Sequence, residues 1–266
     1  MIRFENVSKK FGDLKVLDNV SFEIRDGETF VIVGFSGAGK SVTIKHMIKL
    51  LTPDTGAVYV GGEPINEASG RQLERLRDMF GVLFQSAALL EWLTVGENVA
   101  LPLHEKTSMT ESEIKATSME TLARVGLEKF YDAYPSQISG GMRKRVGLAR
   151  AIVTKPKIIL YDEPTSGLDP VTSRSIDRLI EQMRAELKVT GVVVTHDLLS
   201  ALAIGSRIAM IDRGKIVELA TPEGFVRSQH PEVKRFLAAQ HVSESDVNPG
   251  LEAGLFLETA VKHGDC

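Results

Sequence analysis

The eight residues Gly34-Phe-Ser-Gly-Ala-Gly-Lys-Ser41 constrain this chain more than any other segment. They fit the pattern GxxxxGKS, follow the continuously apolar run Phe30-Val-Ile-Val33, and lead into a helical pattern from Ser41 to Leu51. An apolar, β-branched run without alternation reads as a strand buried on both faces, the kind a parallel sheet uses. A glycine-rich turn between such a strand and a helix lets backbone amides wrap phosphate oxygens while the helix N-terminus adds partial positive charge. In that pattern Lys40 reaches the β and γ phosphates and Ser41 ligates Mg²⁺. The bland alternative is an ordinary tight turn, and the strand before it and the helix after it argue against that.

The rest of the chain supplies a sheet for this loop. Ile2 and Phe4, then Val20, Phe22 and Ile24, alternate in the period of half-exposed strands, which predicts an antiparallel layer over residues 1 to 30. Val58–Val60 and Gly81–Phe84 read as short strands, and Ile158–Tyr161, Val192–Thr195 and Ile208–Ile211 as buried ones separated by helices. That alternation predicts a parallel sheet with helices on both faces. Thr110 with Glu113 three residues on is a capping-box signature for a helix running to Val125, and a further helical stretch spans Arg143 to Val153.

Two more segments carry chemistry. Ile158-Ile-Leu-Tyr-Asp162-Glu163 is a buried strand ending in two carboxylates. Asp162 can hold Mg²⁺ through its water shell, and Glu163, pointing differently, can polarise an attacking water. Ser139-Gly140-Gly141-Met142 is a second glycine-rich turn at a helix start, hence a second anion site.

With these motifs in this order, residues 1 to about 240 resemble the nucleotide-binding subunits of ABC transporters. The resemblance implies a P-loop NTPase core of α/β class with a parallel sheet, an N-terminal antiparallel β layer, and a helical subdomain inserted at about residues 86–155. It places ATP against Gly34, Phe35, Ser36, Gly37, Ala38, Gly39, Lys40, Ser41 and Val42, with Val16 nearby and Phe11 stacking on adenine. Gln85 corresponds to the glutamine that senses the metal and the γ phosphate, Ser139 to Met142 to the signature, Ser166-Gly-Leu-Asp169 to the D-loop, and His196 to the switch histidine. Glu163 is then the base, with Lys40, Gln85 and His196 catalytic beside it, and Ser41, Gln85 and Asp162 are the Mg²⁺ residues. Ile138 and Met142 depart from the family's usual Leu and Gln. Met142, Phe84–Leu90 and Leu93–Leu103 look most like the Mla/Mce type, whose ATPases serve lipid-transporting permeases.

One phosphate loop and one signature per chain imply a homodimer, because in the family each signature closes over nucleotide held by the other subunit. The implied partners are an integral membrane permease, a STAS-like accessory protein and an MCE-type lipid-binding protein, at the cytoplasmic face of the inner membrane. Ala87-Ala-Leu-Leu-Glu-Trp-Leu93 sets five apolar side chains and the one tryptophan beside Gln85, fit either for permease docking or for packing. A cassette for a small-solute importer, such as an amino acid importer, shares every catalytic residue and is the alternative.

Composition narrows the field further. Thirty-two basic against 35 acidic residues give a formal charge of −3, with no global attraction to nucleic acid or anionic lipid. No apolar run approaches the roughly 18 residues of a membrane span, and Met1–Asn6 has no signal-peptide core. The single cysteine, Cys266, fits a reducing compartment. Residues 241–266 lie beyond the minimal cassette, and Leu251, Leu255, Phe256 and Leu257 recur at helical spacing after the breaker Pro249-Gly250, which reads either as a partner-binding stripe or as a disordered tail.

Overall fold

The computed structural model describes residues 1–243 and Asp246, so the stripe from Leu251 to Val261 lies outside the described residues. The N-terminal alternation forms β1 (Ile2–Phe11) and β2 (Leu14–Ile24), paired antiparallel with Ile2 opposite Ile24 and Phe4 opposite Phe22. Next come β3 (Thr29–Val33), the phosphate loop, helix α1 (Lys40–Met47), β4 (Thr55–Val60), β5 (Glu63–Pro64), α2 (Gly70–Arg77) and β6 (Phe80–Leu83). The antiparallel layer is wider than the first 30 residues predict: β4 pairs with the other edge of β1, giving the order β2-β1-β4-β5. Helix α1 ends at Met47 rather than Leu51. Lys49 turns left-handed at φ 52°, and Arg77 donates to the Ile48 and Lys49 carbonyls that a continuing helix would use.

Helices α3 (Val95–Lys106), α4 (Glu111–Arg124) and α5 (Gly140–Ile152) pack together between β6 and β7 (Ile158–Asp162). Thr94 and Thr110 each close a capping box, with Glu97 and Glu113 respectively. Helix α5 starts three residues before Arg143, because Ser139 caps it by accepting from the Met142 amide. The chain continues through α6 (Pro170–Leu187), β8 (Thr190–Val194), α7 (Leu198–Ile204), β9 (Arg207–Asp212), β10 (Lys215–Ala220), α8 (Pro222–Val226) and α9 (Pro231–Ala239).

The second sheet has the order β10-β9-β3-β8-β7-β6. It is parallel from β9 through β6, and β10 corrects the all-parallel expectation by pairing antiparallel to β9. Arg213 and Gly214, both at positive φ, turn the chain in two residues, which only antiparallel neighbours permit. The apolar strand runs have no polar alternate because both faces are covered. Phe30, Ile32, Leu160 and Val194 belong to a core shared with the N-terminal sheet and α1, whereas Val31, Val33, Tyr161 and Val193 belong to a core shared with the helices after β6. A sheet therefore covers much of the face where helices alone are expected. Phe22 links the two sheets, stacking on Phe4 at 4.5 Å and on Phe30 at 5.3 Å between centroids. The phosphate loop leaves the C-terminal end of β3 between these layers, in line with the general placement of ligand sites in open α/β sheets.

Candidate active site

Above that strand end lies a cavity of about 550 Å³. Phe11 and Val16 line one side, the loop residues Ser36, Gly37 and Gly39 through Val42 line its floor, and Gln85, Glu163 and His196 line the other side. These residues come from segments up to 185 positions apart, and the structure brings them together around one cavity. Gly34, Phe35 and Ala38 belong to the loop but do not line the cavity, and neither does Asp162. Gly39 caps α1 at φ 108°, where an added Cβ would stand 2.8 Å from the Val16 carbonyl oxygen, so the β1–β2 hairpin can approach the loop this closely only over a glycine.

Lys40 is 7% exposed. Its Nζ donates to the carbonyls of Gly34 at 2.9 Å and Phe35 at 3.2 Å, and stands 3.9 Å from Glu163 Oε1. Burial lowers its pKa, and the Glu163 and Asp162 carboxylates oppose that shift. Ser41 Oγ donates to Asp162 Oδ1 at 3.0 Å, which joins the helix start to the end of β7. The residues present fit Mg²⁺: two hard oxygen groups stand together beside the phosphate loop. Among the described residues no three His, Cys, Asp or Glu side chains gather into an all-protein metal site. An ion held by one or two side chains, phosphate oxygens and water needs no such cage.

Glu163 follows Asp162 with φ 50° and is 8% exposed. Its Oε2 accepts from the His196 amide at 3.3 Å and lies 2.8 Å from His196 Nδ1. A carboxylate accepts, so Nδ1 carries the proton in this contact. The Glu163 amide donates to the Val194 carbonyl at 2.8 Å, fixing the residue to the neighbouring strand.

Ser139–Met142 and Ser166–Asp169, which the resemblance assigns to the signature and the D-loop, do not line this cavity. Ser139 and Gly140 are exposed at the start of α5, and Met142 packs half-buried against the helical core. Gly141 has a packing role: a Cβ there would come 2.5 Å from Thr172 Cγ2, so α5 and α6 meet closely over it. Asp169 caps α6, accepting from the Val171 and Thr172 amides at 3.0 Å each. Hydrogen bonds from the Thr172 side chain and from backbone amides hold its carboxyl below the usual carboxylate range. The segment after Gln85 divides: Ala87 is buried, and Trp92 is 73% exposed.

The sequence reading missed three supporting groups. Lys144 is buried and donates to the main-chain carbonyls of Gln85 and Glu163. Arg150 donates to the carbonyls of Ala87 at 2.6 Å and Ala88 at 2.7 Å, bracing two residues at positive φ. Arg174 ties α6 to the His196 segment, reaching Asp177 at 3.0 Å and Asp197 at 2.7 Å. The available signal was Lys144 itself, three residues after Gly141 and four before Leu148, a cation on the buried stripe of α5.

Residues 17–166 match the family model described as ABC transporter. Methionine import ATP-binding protein MetN 2 of Pseudomonas entomophila is 42% identical over 242 residues, covering 89% of this chain and 72% of its own. The probable ribonucleotide transport ATP-binding protein mkl of Mycobacterium tuberculosis is 41% identical, covering 91% of this chain and 67% of its own. The solved dimer of the ATP-binding cassette MJ0796 bound to ADP and Pi superposes with TM-score 0.77 at 36% identity, over 84% of this chain and all of that one. Clostridium perfringens cbiO1, part of the transporter complex cbiONQ, superposes with TM-score 0.78 at 27% identity, over 90% of this chain and 94% of its own. With a phosphate loop, the Glu163 carboxylate and a histidine converging on one cavity, with Asp162 tied to the loop through Ser41, and with relatives of this kind along most of its length, the chain belongs to the ABC transporter ATPases.

Proposed function

We propose that this chain hydrolyses ATP as one half of a cassette dimer driving a membrane permease, and that the cargo is phospholipid moved between membranes of the cell envelope. The observation that carries the catalytic reading is the Glu163 carboxylate, held between Lys40 Nζ and His196 Nδ1 at the mouth of the phosphate loop. In the proposed reaction the adenine stacks on Phe11 and the phosphates enter the loop. Lys40 exchanges the Gly34 and Phe35 carbonyls for β and γ phosphate oxygens, a stronger charge-assisted contact. Ser41 and Asp162, together with Gln85 from across the cavity, would hold Mg²⁺, which would supply neutralisation of the phosphate charge. Glu163 orients the attacking water and accepts its proton, and His196 steadies the γ phosphate from the other side of the carboxylate. Ser139–Met142 and Asp169 stand outside the cavity of their own chain, which supports their service to nucleotide on a second copy, as does the related dimeric cassette.

Exposed Trp92 beside the Gln85 segment supports contact with a permease there. No described helix is long and apolar enough to cross a membrane, which fits a peripheral subunit on the cytoplasmic side of the inner membrane. The lipid cargo is supported by Met142 and by the segments Phe84–Leu90 and Leu93–Leu103; with that cargo, an MCE-type protein and a STAS-like accessory complete the complex. The second reading, a small-solute importer, is favoured by the names of the methionine and ribonucleotide relatives.

Glu163→Gln tests both levels. The purified variant is expected to bind ATP, accumulate as an ATP-bound dimer in gel filtration, and lose nearly all turnover, since the amide cannot accept the proton. Normal turnover removes Glu163 from the role of base. Cells carrying only this variant are expected to change envelope phospholipid composition with methionine uptake intact, and the reverse pattern favours the importer.

A further inference from the structure

Lys144 has 5% of its surface exposed, and no step of the reaction above uses it. Its ammonium donates to two main-chain carbonyls from different parts of the chain, Gln85 O after β6 and Glu163 O after β7, the latter at 2.9 Å. Both residues line the same cavity. The peptide before Glu163 is also fixed by the hydrogen bond that the Glu163 N–H donates to the Val194 carbonyl on β8. Between these two anchors Glu163 holds φ 50°, a left-handed conformation that a non-glycine residue keeps only where its surroundings over-determine it. Burial disfavours the ammonium, and the nearby Glu163 and Asp162 carboxylates favour it. Hydrogen bonds from a desolvated cation to carbonyls are stronger than neutral ones, and they act here on atoms that set where a carboxylate points.

We infer that Lys144 is a positioning residue for ATP hydrolysis, which from near the start of α5 clamps the Glu163 and Gln85 peptides together and so aims the Glu163 carboxylate at its water. The inference rests on the reading of Glu163 as the base. It also gives the signature helix a mechanical link to the reacting centre of its own subunit: a displacement of α5 carries both carbonyls with it. A residue that only satisfied buried carbonyls would affect stability and nucleotide affinity along with turnover. A positioning residue lowers the rate of the chemical step with affinity retained.

The test compares full-length wild type, Lys144→Met, Lys144→Arg and Glu163→Gln for thermal unfolding, ATP affinity, ATP-dependent dimer formation and single-turnover hydrolysis. Lys144→Met is expected to bind ATP within about threefold of wild type and to form the ATP-dependent dimer, while hydrolysis falls about 10²-fold, the scale of a misplacement of about 1 Å at a reacting group. Lys144→Arg, which keeps the charge and the donors, is expected to restore at least about a tenth of the wild-type rate. A near-normal rate in Lys144→Met overturns the inference, as does parallel loss of affinity and rate. Failure of both lysine variants to fold assigns Lys144 to stability and overturns it as well. Slow Glu163→Gln with fast Lys144→Met refutes the positioning role alone, and fast Glu163→Gln refutes the reading of the base.

Discussion

Replacing Asp177 with Asn is expected to change the pH dependence of stability in a defined direction. Asp177 is 3% exposed on α6, where its Oδ2 meets Arg174 at 3.0 Å and the Ser200 hydroxyl at 3.0 Å, and its Oδ1 is buried with no hydrogen-bond partner among the described residues. Burial raises its pKa from 3.8 to about 6, against the lowering effects of Arg174 and Ser200, with Asp197 and Glu181 adding to the rise. The folded protein therefore holds this proton more tightly than the unfolded chain. The corresponding stability is fully present below the unfolded value of 3.8 and is lost as pH rises through about 6. At 1.36 kcal/mol for each tenfold change in proton affinity, the whole loss is about 3 kcal/mol, of which about 2 falls between roughly pH 4.5 and 7.5. Asparagine cannot ionise, and Arg174 keeps its bond to Asp197 at 2.7 Å, so the variant lacks this loss while the cation stays paired. Urea unfolding of both proteins across that pH range checks it, because titrating groups remote from Asp177 cancel in the difference between them. Relative to wild type, Asp177→Asn should gain about 2 kcal/mol from the acid end to the neutral end. A difference that stays constant within about 0.5 kcal/mol, or one that moves the other way, refutes the assignment of a buried carboxyl whose pKa is raised by its burial.

Two other perturbations probe the site from its ends. Lys40→Ala should lose ATP binding as well as turnover, with affinity falling about 10- to 100-fold for the charge-assisted contacts removed, as titration with a fluorescent ATP analogue would reveal. Phe236→Ala should cost about 3 to 5 kcal/mol of stability and raise KM for ATP more than it lowers kcat. Phe236 on α9 meets Phe35 of the phosphate loop edge-on at 5.1 Å, with the Arg235 guanidinium 4.7 Å from the Phe35 ring, and an unchanged KM in steady-state kinetics would uncouple α9 from the loop.

The sequence by itself determined what depends on neighbours along the chain. The strand, turn and helix around Gly34–Ser41 are set by apolar continuity, glycine and the helix start, and the caps at Thr94, Thr110 and Ser139 close within three residues. The carboxylate pair Asp162-Glu163 was legible because its strand has no polar alternate. Tertiary structure decided what depends on distant segments meeting. The width of the N-terminal sheet follows from β4 adding to β1, and the early end of α1 from a guanidinium 28 residues away. The contact of Glu163 with His196 arises because β7 and β8 are neighbours in the sheet, an order that local pattern does not encode. Lys144 illustrates the division most sharply. The sequence places a cation on the buried stripe of α5, but its partners are main-chain carbonyls, which every residue has, and only the packing of α5 against the ends of β6 and β7 selects those of Gln85 and Glu163.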